Sequence, residues 1–236
     1  MNIQQIINNA ATRMKEPAIA SVANSASEQS MAYLGSANKV AKSIAVMYNW
    51  SNIIIDHEFN TVAGLKDYPL PTDYERLNST YLYNIDNNLY ITSEDADRAL
   101  ASEASKTTTW TSARYRLVRD NISFTVPADQ VNKIKFSYVS KDIVKETDGG
   151  ISYKNIFEKN SDEFLLDDEL LTIGIVIDLK QQYGFNYELD LNEFNKRFSM
   201  LTENDKGGYI LSDSDTYRPS PFQYPNDYQP VCNGGI

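Results

Sequence analysis

The chain has little with which to build a reactive centre. Of its 236 residues one is a cysteine, Cys232, and one a histidine, His57. A lone cysteine forms no internal disulfide, and one Cys with one His excludes a zinc site made from those ligands. Glycine is sparse, at 10 residues, and neither the Rossmann nor the Walker phosphate loop occurs. Basic residues are outnumbered, 22 against 32 acidic ones, and the formal net charge of −10 argues against a protein whose main task is gripping nucleic-acid phosphates. Basic tails are missing as well. The longest apolar run, Leu170 to Leu179, is interrupted by Thr172 and Asp178 and falls short of the roughly 20 residues that a membrane-spanning helix needs, so no membrane partner is expected. Met1 to Lys15 carries Asn and Gln where a secretory signal needs a basic start and an apolar block. Synthesis in a reducing cytoplasm is expected.

What is present is hydrophobic period. Ile3, Ile6, Ile7 and Ala10 predict a short helix over Ile3 to Met14, followed by a loop around Pro17 to Ser25. A second helix, with Ser27 as N-cap, runs on the stripe Met31, Leu34, Ala41, Ala45 and Tyr48 to about Trp50. The period then drops to two at Ile53, Ile55 and His57, the mark of strands. Further strands are expected at Thr80 to Tyr83, Leu89 to Thr92, Ala113 to Val118, Ile122 to Thr125 and Lys133 to Ser140, arranged as a small antiparallel meander. Pro69 and Pro71 make Lys66 to Tyr74 a connector and not a central strand. Ser93-Glu94-Asp95-Ala96 reads as a cap for a short helix over Asp95 to Ser102.

After the turn at Asp148-Gly149-Gly150, Asp167 or Asp168 caps a helix that Gly184 ends. Its apolar residues surround most of the barrel, so it must be buried nearly all round, within the fold or between subunits. A last helix starts at an Asp190-x-x-Glu193 cap and stops at Gly207-Gly208. The fold class is therefore α+β: an α-helical bundle of the N-terminal helix and the C-terminal helix pair, an inserted antiparallel β subdomain, and an extended C-terminal tail. The divisions fall at 1–50, 51–150, 151–208 and 209–236.

Four groups of residues invite a chemical reading. Asp167-Asp168-Glu169 is the densest carboxylate run, but neighbouring helical residues diverge, and acids at a helix N-terminus complement its dipole. Ser36-Ala37-Asn38-Lys39 has the Ser-x-x-Lys spacing of some acyl-transfer enzymes without their companion motifs, which leaves a helix turn. His57 has no nominated nucleophile and reads as a strand-face residue. Arg114, Arg116, Lys133 and Lys135 stand at alternate strand positions, a solvated basic face or a set of inter-subunit ion pairs before a DNA contact. No catalytic residue, metal or cofactor is expected. The tail combines Tyr217, Arg218, Pro219, Phe222, Tyr224 and Tyr228, aromatic anchors on a backbone stiffened by proline, which suits docking on a partner.

In order and spacing these features resemble the head-to-tail adaptor (connector) proteins of short-tailed and related bacteriophages. The likeness covers about Ser21 to Asp213. It rests on the helix closing at Tyr48-Asn49-Trp50, the segment from Asp67 to Leu77, Phe136-Ser137-Tyr138-Val139-Ser140-Lys141, Phe164 to Leu171, and the helix pair ending in Asp205-Lys206-Gly207-Gly208. The chain departs from the family at its Tyr183-Gly184-Phe185 helix end, in its Asn-rich acidic loops, and in carrying Asp178 and Lys180 where arginine-rich helices are common.

The resemblance implies a structural virion protein at the head-tail interface. It would form a ring of about twelve copies between the portal protein and the tail nozzle or tail-tube proteins, with packaged DNA passing through without sequence-specific binding. Bundle and ring packing then falls to Leu166, Leu170, Ile173, Ile177, Phe194, Phe198 and Leu201, and portal docking to the tail. An acidic lumen would let DNA slide, since carboxylates repel phosphate. The alternatives are a virion-associated cell-wall-degrading enzyme, which needs paired carboxylates or a metal in a cleft, and a receptor-binding or tail-tube component built on the strands.

Overall fold

The computed structural model describes residues 1–23, 25, 27–94, 109–110 and 113–205. These hold four helices and eleven strands in an α+β arrangement with antiparallel sheets. Helix α1 (Ile3–Arg13) starts in a capping box in which Asn2 and Gln5 satisfy each other's backbone amides. Helix α2 (Glu28–Met47) has Ser27 in the N-cap position, but the hydroxyl makes no cap hydrogen bond. Helix α3 (Asp168–Tyr183) is capped by the Asp167 side chain and ends at Gly184, whose φ of 72° and ψ of 23° lie in the left-handed region that glycine enters without strain. Helix α4 (Glu188–Asp205) begins two residues before Asp190, because Asn186 Oδ1 takes the Glu188 amide (2.9 Å) and Asp190 is drawn to Lys180 (2.6 Å).

Helix α3 lies against α1, α2 and α4. Leu170, Leu171, Ile173, Ile175, Val176 and Leu179 are all buried within this one chain. The all-round apolar helix therefore finds its cover within its own chain and needs no second copy to hide it. Gly174 permits the closest approach. A Cβ built there would stand 2.4 Å from Val40 Cγ1 on α2 and 3.4 Å from Phe194 on α4.

Between α2 and α3 the chain forms strands. Strand β8 (Lys133–Ser140) pairs along one edge with β1 (Ile54–Asn60) and along the other with β3 (Tyr74–Leu77) and β4 (Tyr81–Asn84), which carries β5 (Leu89–Thr92). This is not the meander expected from sequence. The longest strand, with Ile134, Phe136 and Tyr138 all buried on one face, gathers earlier strands on both of its edges. A second sheet orders β2 (Asp67–Pro69), β7 (Asn121–Phe124) and β6 (Tyr115–Val118), with proline-bearing β2 on an edge where a missing donor costs no ladder bond. A third holds β10 (Ser152–Lys154), β9 (Val144–Glu146) and β11 (Glu163–Phe164). The division expected at residue 150 runs through this small sheet, and its Val144, Phe157 and Phe164 belong to the core of the helices. The short helix read at Asp95 to Ser102 and the tail from 209 onward lie outside the described residues.

There are thus two cores. One joins α1 to α4 with Ile143, Val144 and Phe157; the other gathers Leu82, Tyr115, Phe124, Ile134 and Phe136 between the sheets.

Candidate functional site

Two stretches of backbone join the cores: 48–53 leads from α2 into β1, and 140–143 leads from β8 toward β9. Both are fastened by side chains. Trp50 donates from Nε1 to Ile44 O (2.9 Å), and its ring stands edge-on to Tyr48 and Phe198, at 5.1 and 5.7 Å between centroids. Arg76 of β3 donates from Nη2 to Ala45 O (3.1 Å) and Tyr48 O (2.9 Å) and from Nε to Asn49 Oδ1 (2.9 Å), closing the carbonyl end of α2. Asn49 donates in turn to Asn78 (3.1 Å), Asn52 to Leu165 O (3.2 Å), and the Ser51 amide to Asp205 at the end of α4 (3.1 Å). At the other crossing Asp73 accepts from Tyr138 (2.8 Å) and Ser140 (2.8 Å), while its carbonyl takes the Lys141 amide (2.8 Å). On its far side this crossing is held at Ile143, whose amide donates to Lys154 O (3.0 Å) and whose carbonyl takes the Leu165 amide (3.0 Å), so each crossing is held by bonds from elements on both sides.

Asp73 and Asp142 line a cavity of about 340 Å³ together with Asn52, Ile53, Ile55 and Tyr153. Burial and then the charge of Asp73 push the Asp142 carboxyl above its ordinary value, although Lys141 pulls it back in part. A carboxyl raised by folding adds stability only while it is protonated, fully below its unfolded value and progressively less as pH rises through the folded one. Its ionised form, beside Asp73, is a net cost that grows as the pH rises. Asp142→Asn is therefore expected to raise the urea midpoint at pH 7, with the gap to wild type closing as the pH is lowered toward about 4. An unchanged midpoint at pH 7 would remove the coupling.

The outer face of the five-stranded sheet is polar and aromatic. Lys135 pairs with Asp56 (2.8 Å) and Lys133 with Glu58 (2.6 Å), and the lysines hold both carboxyls below their ordinary values. Beside them Tyr81 and Tyr83 stand 4.8 and 5.3 Å from Tyr90, which is 66% exposed.

The residues singled out from sequence fall as follows. Asp167, Asp168 and Glu169 do not converge. Asp167 takes the Leu170 amide (2.6 Å) and a two-pronged contact from Arg197 (2.6 and 2.8 Å), Asp168 pairs with the amino group of Met1, and Glu169 pairs with Arg13. Burial pushes the Asp167 carboxyl up, but Arg197 and the Leu170 amide outweigh it and hold it below its usual range. Ser36 is buried, and Lys39 reaches Asp178 (2.6 Å) on α3. His57 packs against Phe136 at 5.3 Å between centroids, a member of the aromatic layer. The basic residues do not form one face: Lys133 and Lys135 lie on β8, whereas Arg116 lies on β6 in another sheet and Arg114 precedes it.

Of the packing residues, Leu170, Ile173 and Phe194 are buried and Leu166, Ile177, Phe198 and Leu201 are half-buried against the same core. Tyr217, Arg218, Pro219, Phe222, Tyr224 and Tyr228 lie outside the described residues. Among the described residues no group of three or more His, Cys, Asp or Glu could hold a metal ion, and no helix is long and apolar enough to cross a membrane. Sequence reasoning passed over Arg76, Asp73 and Asp142 as individual residues. Their bonds run to backbone carbonyls and to partners far along the chain, which leaves no spacing to read.

No protein-family model matches the chain, and no curated protein matches it closely enough to establish a relationship.

Proposed function

We propose that the chain is a structural virion protein, a head-to-tail adaptor of a tailed bacteriophage that forms a ring between portal and tail and continues the DNA channel. One observation carries this reading. The five segments on which the resemblance rests, far apart in sequence, supply the side chains and backbone of the joint: Tyr48 to Trp50, Asp73 with Arg76, Tyr138 to Lys141, Leu165, and Asp205. A joint assembled from five distant segments holds a shape, and an adaptor works by its shape. On this reading the helices form a bundle and the strands an insertion seated rigidly upon it. The exposed tyrosines of β4 and β5 suit a wet protein interface.

The ring contacts are reassigned, because Leu170, Ile173 and Phe194 are spent inside the subunit. Exposed apolar side chains such as Phe185, Leu189 and Met200 at the α3–α4 turn and along α4 take that place. Portal docking stays with the tail from Tyr217 to Tyr228. A chain truncated after Ser212 is expected to remain folded by circular dichroism and to lose portal binding in a pull-down; unchanged affinity would refute the assignment of the tail. Location tests the wider reading: an adaptor co-purifies with portal-containing heads, a receptor binder only with complete tails.

The cavity with Asp73 and Asp142 favours a second reading, a virion hydrolase acting on the cell wall, since paired carboxylates are the means of glycoside cleavage. Release of peptidoglycan fragments by the wild-type chain and not by Asp142→Asn would establish it. The adaptor reading expects no release from either.

A further inference from the structure

A smaller cavity, about 190 Å³, opens beside the joint between the last two turns of α2, β3 and the end of β8. Three cations line it: Lys42, Arg76 and Lys141. Among the described residues none of the three makes an ion pair, and Arg76 spends its bonds on neutral carbonyl and amide oxygens. Lys39, Lys133, Lys135, Lys145, Lys154, Lys159 and Lys180 each hold a carboxylate. Glu75 is the one carboxylate on the lining and the charge of Asp142 acts on Lys141, so three positive charges against two negative leave a surplus of one. The opposite need is met by the rest of the wall, where Val46, Val139 and Ile143 are apolar.

We propose that this cavity binds a carboxylate carried on a short apolar stem, of the kind that a glutamate side chain of a neighbouring protein chain presents. The cations neutralise and hydrogen-bond the carboxylate, and the fixed Arg76 fork, held by α2, offers its remaining nitrogen without reorganisation. The stem displaces water from the apolar wall. A phosphate would set a hydrated oxyanion against that apolar wall. A single carboxylate meets mainly the local surplus, because distant charges are screened beyond about 8 Å at physiological salt. The volume suits a side chain and is too small for a drug-sized ligand. Only the protein source of the carboxylate rests on the adaptor reading; its chemistry does not.

The test is a titration of the full chain with butanoate, acetate, butanamide and inorganic phosphate, followed by NMR at the Arg76 Nε–H signal and by calorimetry. Butanoate is expected to saturate and to bind about tenfold more tightly than acetate, from its two further methylenes. The double variant Lys42→Met, Lys141→Met, which changes exposed side chains, should weaken butanoate at least tenfold while its thermal midpoint stays near wild type. Butanamide binding as well as butanoate, phosphate binding more tightly, or no saturable shift would each overturn the proposal. A neutral peptide bearing one glutamate should compete with butanoate. Failure of that arm alone overturns the protein source, and failure of the portal experiments leaves the butanoate result standing.

Discussion

Replacing Ile173 by alanine is expected to cost the isolated chain about 2–5 kcal/mol, the range for emptying a fully packed aliphatic site. The side chain sits at 1% exposure on α3, a helix packed against α1, α2 and α4, so no neighbouring element can collapse into the void without losing its own contacts. The physical point is where the loss is felt. If α3 were covered by sister copies, the substitution would weaken assembly and its effect on stability would depend on protein concentration. Because the cover is internal, denaturant unfolding should show the same loss at every concentration, with m unchanged. A loss that vanishes on dilution would return Ile173 to a subunit interface.

Arg76→Met should cost about 3 kcal/mol or more, although it removes no carboxylate partner. Its three hydrogen bonds end on Ala45 O, Tyr48 O and Asn49 Oδ1, and bonds from a charged donor contribute about 1.5–3 kcal/mol each in partly buried settings. The values do not add, since water reaches some of the freed oxygens. Methionine fills the space along the stem but leaves the carbonyl end of α2 open beside the crossing into β1. Arg76→Lys should recover little, because a point charge cannot serve three acceptors in the plane of a guanidinium. Denaturation midpoints check both variants. A loss below about 0.5 kcal/mol for Arg76→Met would mean that the joint is held elsewhere, the size expected of an ordinary surface substitution.

Much of the fold could be read from sequence wherever one helix or strand carries its own period. The stripe from Ile3 to Ala10, a cap at Asp167 or Asp168 with the Gly184 stop, and the alternation along Lys133 to Ser140 are local signals, and each element forms where they place it, with Asp167 the cap that is used. Three things were hidden for physical reasons. An all-round apolar helix looks the same whether its own chain or a neighbour covers it, so α3 could not announce its cover. Strands β9, β10 and β11 have three, three and two residues, too few for an alternation to be counted. The order of the large sheet depends on which strand can be buried between others, a property of the assembled core. The candidate site was less legible still. Arg76 comes from β3, Lys42 from α2 and Lys141 from the end of β8, and they meet at one cavity through the pairing of β3 with β8 at Tyr74↔Ser140 and Arg76↔Val139 and through the bonds of Arg76 to Ala45 O and Tyr48 O.

These features give the adaptor reading its mechanical sense. On that reading the two cores, joined by fastened crossings, would move as one body and pass a load arriving at the strands to the helices without bending at 48–53 or 140–143. The tail, on this account, adds anchors to a scaffold that is already rigid, and a ring multiplies modest anchors through effective concentration.

The most direct test is the mass of the species formed when the purified chain is mixed with purified portal, read by native mass spectrometry. The adaptor account predicts a single large complex carrying about a dozen copies of the chain on one portal ring. A chain that stays at its own 26.7 kDa beside an unaltered portal would contradict it.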